Sequence, residues 1–236
     1  MSKKFNIIVS DNPWAFSDHL TMSDVKRGSA SNYGEMSNQD LINLDIKSIV
    51  DPDWCVLALW VPSSLLQTGL DVMKSWGFEQ KQSYVWVKTK KEPFAEQLKD
   101  IYKHFKSLKD VWSSTISGTI VKQALDSLSL SNTLAFGMGR LTRACHEICL
   151  IGINNSNVYK HLANKSQRSV SFAPNLKHSA KPEHLQDSLE LMFPDSPDNT
   201  VNKIELFARR VRPGWTCVGN EIVKGEDIRD SLKNLI

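Results

Sequence analysis

Along most of the chain, short apolar runs of strand length alternate with stretches in which apolar residues recur every three or four positions. That alternation predicts an α/β fold. The strand candidates are Phe5-Asn6-Ile7-Ile8-Val9, Cys55-Val56-Leu57-Ala58-Leu59-Trp60-Val61, Tyr84-Val85-Trp86-Val87, Ile148-Cys149-Leu150-Ile151, the run 169–173, Lys203-Ile204-Glu205-Leu206-Phe207 and Thr216-Cys217-Val218. The second is apolar throughout, as a strand covered on both faces should be, so it belongs near the centre of a mostly parallel sheet. Pro62-Ser63-Ser64 then opens a helix carrying Leu66, Leu70 and Met73, with Gly77 placed as its C-terminal stop. A helix from Pro182 carries Leu185, Leu189 and Met192 on one face, with Pro182 suited to its first position.

Three stretches break the alternation. Residues 17–33 and 154–179 are rich in Ser, Asn, Lys and His and poor in apolar periodicity, the composition of loops that cover a site. Between 90 and 132, Phe94, Leu98, Ile101, Phe105, Leu108 and Trp112 trace one helical stripe from Pro93, and Val121, Leu125 and Leu128 trace a second after Gly118. The expected organisation is a single domain over 1–236 with a helical hairpin inserted at 90–132. No internal repeat accompanies it.

The chemistry concentrates first in Asp11-Asn12-Pro13-Trp14, directly after the first strand. In open α/β sheets, ligands sit beyond the carboxyl ends of strands, where this tetrad falls. An acid, a carbonyl held before a proline and an aromatic plane suit a flat base bearing an amine. Asp11 and the Asn12 carbonyl can each accept one amine hydrogen, while Trp14 stacks on the ring. The plain alternative is a turn with an ordinary cap and a core tryptophan.

Composition narrows the class. A chain of 236 residues, 41% hydrophobic and 23% charged, fits one well-buried domain plus an excursion. The net charge of +3 is too mild to identify a nucleic-acid binder in bulk, so any basic surface is local. Eight lysines face four acids between Lys88 and Lys122, a local net of +4, and Lys99, Lys103 and Lys106 lie at helical spacing outside the apolar stripe. They predict a phosphate-facing arm; the competing reading makes the stripe a contact in a homodimer or heterodimer and the lysines its solvated face. No apolar run approaches the ~20 residues of a membrane helix, and the Met-Ser-Lys-Lys start lacks a signal-peptide core, so a cytoplasmic protein is expected. Four cysteines, Cys55, Cys145, Cys149 and Cys217, two of them in apolar runs, argue against a disulfide framework. Cys145-His146-x-x-Cys149 has no second ligand pair, so no metal is expected.

Further motifs follow the tetrad in order: Tyr33-Gly34-Glu35-Met36-Ser37, Leu59-Trp60-Val61, Trp86-Val87-Lys88-Thr89, His146-Glu147, His178-Ser179-Ala180-Lys181-Pro182-Glu183, Lys203 to Arg209, Arg212-Pro213-Gly214-Trp215 and Gly219-Asn220-Glu221. Together they resemble the N6-adenine methyltransferase family of the messenger-RNA adenosine methylase catalytic subunit and its small bacterial and phage relatives, the MT-A70-like proteins. The resemblance spans nearly the whole chain except 90–132. It implies a Rossmann-like methyltransferase using S-adenosyl-L-methionine, with Lys181, Glu205, Arg209, Asn220 and Glu221 at positions lining the donor pocket. Tyr33 falls on the substrate side, and His178 is a candidate for meeting substrate or donor, the plain alternative being a solvated loop histidine. The family has proline where this chain has Asn12. Asparagine keeps the backbone carbonyl, but proline's fixed φ is lost.

These residues imply methyl transfer to the N6 amine of adenine by in-line displacement, the amine's lone pair being localised by hydrogen bonds to Asp11 and the Asn12 carbonyl. DNA is favoured over RNA because the chain lacks a zinc-finger or basic extension and the family's compact stand-alone members are commonly DNA enzymes. The alternatives are adenine methylation of RNA and a non-catalytic nucleic-acid-binding partner subunit. A nicotinamide dehydrogenase is disfavoured, since no Gly-x-Gly-x-x-Gly follows the first strand.

Overall fold

A computed structural model describes residues 3–16, 35–92, 99, 103, 133–135, 137, 141–175, 180–197 and 200–236. Among them are seven strands, β1 (Ile7–Ser10), β2 (Val56–Val61), β3 (Glu79–Thr89), β4 (His146–Ile153), β5 (Val170–Pro174), β6 (Lys203–Leu206) and β7 (Thr216–Val218). They form a sheet in the order β5-β3-β4-β2-β1-β6-β7. β1 pairs parallel with β2 and β6, and β6 with β7, while β4 runs antiparallel to β2. The sheet is mixed and mostly parallel with flanking helices, a Rossmann-like arrangement. Every residue of β1 and β2 is buried, which is why those segments read as apolar runs without alternation.

Five α-helices are described: α1 (Asn38–Ile42), α2 (Leu66–Ser75), α3 (Val158–His161), α4 (His184–Met192) and α5 (Ile228–Leu235). A core cluster joins Leu41 of α1, Val72 and Met73 of α2, and Ile228 and Leu232 of α5 to Ile8, Leu57, Leu59, Ile204 and Leu206 of the sheet. α2 begins at Leu66, after a 3-10 turn over Ser63–Leu65, so it starts later than Pro62-Ser63-Ser64 suggests. Its end is as expected: Gly77 adopts φ 89°, its N–H donates to the Lys74 carbonyl, and the Phe78 N–H donates to Met73. Those two bonds satisfy carbonyls the helix leaves open, and the left-handed φ favours glycine.

Two expectations require correction. Pro182 is not the first residue of α4; the helix begins at His184 with Glu183 as its cap residue. The Glu183 side chain makes no capping bond and instead pairs with Arg210 and Arg212, whose charges draw it off the helix end. The stretch 154–179 is not a uniform loop either: besides β5, where the run 169–173 predicts a strand, it contains α3. At its start, Asn154 accepts from the Cys55 N–H and donates to the Asp51 carbonyl, which ties that part to the loop before β2.

The chain divides into two compact units, one of Met1–Val85, Glu147–Ser169 and Glu183–Ile236, the other of Trp86–His146 and Val170–Pro182. In the second, the buried Trp86 indole donates to the Ala173 carbonyl. Its other backbone bonds lace Lys88 to Cys145 and Ala135, and Lys90 to Thr133. Within the expected hairpin only Lys90, Lys91, Glu92, Lys99 and Lys103 are described, so its two helical stripes lie outside the described residues.

Candidate active site

Strand register assembles the site. Ser10 at the end of β1 is level with Leu59 of β2 and Leu206 of β6, and Leu206 is level with Val218 of β7. The next residues on β1, β6 and β7 are Asp11, Phe207 and Gly219. Parallel pairing therefore places the tetrad, the segment leading to Arg209, and Gly219-Asn220-Glu221 at one edge of the first unit, although they are some 200 residues apart in sequence.

The tetrad is tightly held. The Ser10 hydroxyl donates to Asn12 Oδ1 at 2.6 Å, and the Trp14 N–H donates to the Asn12 carbonyl at 2.9 Å. The Pro13 carbonyl accepts from the Met36 N–H at 3.0 Å, so the second motif along the chain lies directly beside the first. Ser37 follows as the N-cap of α1, its hydroxyl oxygen accepting from the Asp40 N–H. Trp14 is 4% exposed and belongs to the core cluster, its indole N–H donating to the Trp60 carbonyl at 2.9 Å. That bond explains the Leu-Trp-Val motif: β2 supplies the acceptor that anchors the tetrad loop. In this structure Trp14 packs as a core residue.

Around Asp11 the electrostatics are mixed. Arg209 Nη2 lies 3.7 Å from Asp11 Oδ2, and Arg209 Nε lies 3.6 Å from Glu221 Oε1. Glu205, on β6, accepts from Gln186 Nε2 of α4 at 3.3 Å. Burial pushes the Glu205 carboxyl above its ordinary range, with the charges of Asp11 and Glu183 adding to the shift and the Gln186 bond and Arg210 opposing it. Between Glu205 and Arg209, Phe207 adopts φ 56°, a left-handed conformation that a bulky residue holds only at a cost of ~1–3 kcal/mol. A Cβ on Gly219 would lie 2.8 Å from the Ala208 nitrogen, so glycine is required where β7 turns against this segment. Asn220 is exposed.

A second arginine plays a different part. Arg212 donates to Glu190 Oε1 at 3.1 Å, Glu183 Oε2 at 2.7 Å and Asp187 Oδ1 at 2.6 Å, and Arg210 pairs with Glu183 at 2.7 Å. The Trp215 indole donates to the same Glu190 oxygen. Burial works against the Arg212 charge, but the bonds it donates to Glu190 and Asp187, with their charges, outweigh it and raise its pKa. Burial likewise pushes the Glu190 carboxyl up, and the Arg212 and Trp215 bonds with the charges of Arg212 and Lys203 bring it below 4.5. The Arg-Pro-Gly-Trp motif is thus a brace that ties the loop after β6 to α4.

Lys181 is half-buried and belongs to the second unit. Lys99 and Lys103 are helical and exposed. Tyr33, Lys106 and His178 lie outside the described residues. Three residues carry structural roles that the sequence reading does not assign: Ser10, Gln186 and Phe207, the last inside the Lys203 to Arg209 motif. Gln186 leaves a trace, a polar residue beside Leu185 inside an otherwise apolar helix face, and it is 1% exposed. Phe207 leaves none, since nothing in its residue type announces a left-handed φ. Cys55 and Cys149 are buried core residues, and burial raises the Cys55 thiol pKa well above its ordinary value. Among the described residues, no cluster of His, Cys, Asp and Glu could hold a metal ion, and no helix is long and apolar enough to cross a membrane.

The MT-A70 family model matches residues 5–109 and 129–221. The interruption is thus 110–128, narrower than the 90–132 that the motifs leave uncovered. An N(6)-adenosine-methyltransferase MT-A70-like protein of Drosophila melanogaster is 24% identical over 223 residues, covering 93% of this chain and 27% of that protein. The N(6)-adenosine-methyltransferase catalytic subunit METTL3 of Homo sapiens is 22% identical over 221 residues, 93% of this chain and 28% of its own length. Type II methyltransferase M.MunI of Mycoplasma sp is 25% identical over 235 residues, covering 93% of this chain and 78% of that enzyme. The chain spans about a quarter of the length of the first two and most of the third.

Proposed function

The chain belongs to the MT-A70 family, and from that premise we propose that it transfers a methyl group from S-adenosyl-L-methionine to the N6 amine of adenine in DNA. The observation that carries this reading is the convergence of Asp11, the Asn12 carbonyl, Arg209 and Glu221 at the carboxyl ends of β1, β6 and β7. The donor is a zwitterion with a ribose diol, and the residues present suit it. Arg209 offers a cation for its carboxylate, Glu205, Asn220 and Glu221 offer acceptors for its ammonium and hydroxyls, and Gly219 keeps the turn after β7 free of side-chain bulk. When bound, S-adenosyl-L-methionine supplies an electrophilic methyl on a sulfonium.

The work of the chain itself is to make a poor nucleophile competent. An adenine amine spreads its lone pair into the ring. Hydrogen bonds from the amine to Asp11 and to the Asn12 carbonyl favour a tetrahedral nitrogen with a localised pair. The Trp14 N–H occupies one acceptor position of that carbonyl and holds its orientation; a carbonyl oxygen keeps a second. Asp11 then receives the proton that the methylated nitrogen sheds. Trp14 supports this from the core by fixing the loop to β2.

The match to Type II methyltransferase M.MunI, 25% identical over 93% of this chain, supports DNA over RNA. Lys99 and Lys103 are exposed and suited to phosphates. Incubation with labelled donor and unmethylated DNA or RNA, followed by digestion to nucleosides, tests the reading. N6-methyldeoxyadenosine is expected; methyladenosine from RNA would move the substrate, and no transfer to either with donor binding intact would favour a non-catalytic partner subunit. Asp11→Ala should slow turnover by ~10²-fold, the cost of losing one acceptor aimed at developing charge.

A further inference from the structure

Asn12 stands where the family resemblance leads one to expect proline, and the structure shows what its side chain adds. It is 5% exposed. Its Oδ1 accepts from the hydroxyl of the fully buried Ser10, which leaves Nδ2 as the carboxamide's donor. Its Nδ2 is buried and has no hydrogen-bond partner among the described residues. Buried donors without acceptors are rare because folding does not return their lost hydration. Proline at this position would carry no such donor. The chain therefore keeps a disfavoured group next to Asp11, on the residue whose carbonyl the proposed chemistry uses.

Resting on the methyltransferase reading above, we infer that Asn12 Nδ2 is a recognition donor for the ring nitrogen next to the target amine, N1 of adenine. The pairing edge of adenine presents an amine donor beside the N1 acceptor. Asn12 can answer both, its backbone carbonyl receiving the amine hydrogen and its carboxamide donating to N1. Guanine and thymine present the reverse pattern at this edge, a carbonyl beside a ring N–H, and would bring donor against donor. Cytosine presents the same pair as adenine, so Asn12 does not exclude it. Asn12 is thus a specificity residue in addition to lending its backbone.

The test compares methylation of oligonucleotides carrying adenine, 1-deazaadenine or 7-deazaadenine at the target. Replacing N1 by a C–H removes the acceptor and keeps the amine; replacing N7 alters the ring away from the pairing edge. Wild type should prefer adenine over 1-deazaadenine by ~10-fold or more in kcat/KM, the size of one lost hydrogen bond to a buried donor. Asn12→Ala and Asn12→Pro should compress that ratio to within about 2-fold while leaving the 7-deazaadenine ratio as in wild type. The intrinsic effect of each ring change on the amine is common to all variants and divides out. Ser10→Ala, which frees the carboxamide to rotate, should give an intermediate ratio and stands in if an Asn12 variant does not fold. Equal discrimination against 1-deazaadenine in wild type and variants, or none in wild type, overturns the inference while the methyltransferase reading survives. Absence of methyl transfer to the adenine oligonucleotide overturns that reading first and this one with it.

Discussion

Arg209 and Arg212 lie three residues apart in the same loop, and their surroundings are opposite. Arg212 is held by three carboxylates of the α4 region at 2.6 to 3.1 Å, within charge-assisted hydrogen-bond length. Arg209 meets Asp11 and Glu221 at 3.7 and 3.6 Å, at the ends of three strands where the site forms. One arginine spends its charge on architecture, and the other meets two carboxylates of the candidate site. Their carboxylates differ in the same way. Glu190, beside Arg212, is driven toward its charged form, whereas burial drives Glu205, beside the site, toward its neutral form. A side chain committed to the fold is thus held at hydrogen-bond length, while Arg209 meets its carboxylates at longer range.

The largest break in this contrast should come from Arg212→Ala. It leaves Glu183, Asp187 and Glu190 facing one another, and should destabilise by ~2–3 kcal/mol, below the ~3–5 of a fully buried pair because the carboxylates are partly exposed. In a chain of this length that corresponds to roughly 5–10 °C in the melting midpoint, measured by thermal denaturation. Arg209→Ala should do the reverse, costing under ~1 kcal/mol of stability. It should weaken S-adenosyl-L-methionine binding by ~10–30-fold in calorimetry. Should Arg209→Ala destabilise as much as Arg212→Ala, the division between brace and site fails.

A smaller effect separates the two carboxylates by pH. The folded value for Glu190 is lowered, so its contribution is complete above 4.5 and is lost as pH falls through the folded value; Glu190→Gln should flatten that acid limb. Glu205 is raised, so wild type loses stability as pH climbs from below 4.5 through the folded value. Glu205→Gln should abolish that loss, raising the melting midpoint at neutral pH by roughly 1–3 °C while weakening donor binding. The smallest expected change concerns the second unit. Ala at Lys99 and Lys103 should lower the log–log salt slope of DNA binding by roughly 0.9 per lost duplex phosphate contact, with donor affinity unchanged. An unaltered slope removes both lysines from the nucleic-acid surface.

The helices show the limits of local pattern most plainly. α2 and its Gly77 stop were legible because the apolar spacing and the stop residue are local signals. α5 was not, although its Asp227 cap bonds the Arg229 N–H and its Ile228 and Leu232 are buried. With only a few apolar residues in a polar tail, it is helical because the core cluster receives those two side chains. Pro182 misled for a related reason: its fixed φ suits a first turn, but Glu183 is drawn to Arg210 and Arg212, and α4 begins at His184.

From the amino-acid order alone, this chain determined its strands, the motif order that marks its family and the candidate set Asp11, Glu205, Arg209 and Glu221. Strands buried on both faces and short functional motifs are written in contiguous residues. Only the tertiary structure decided that Trp14 packs inside the core, that Arg212 is a brace while Arg209 meets Asp11 and Glu221 at the strand ends, that Phe207 is left-handed, and that Asn12 keeps a buried donor in hand. Each depends on pairing register and burial, which join Ser10 to Leu206 and Val218 across some 200 residues. No local pattern encodes such distances, because hydrogen-bond satisfaction is a property of the partners that folding brings together.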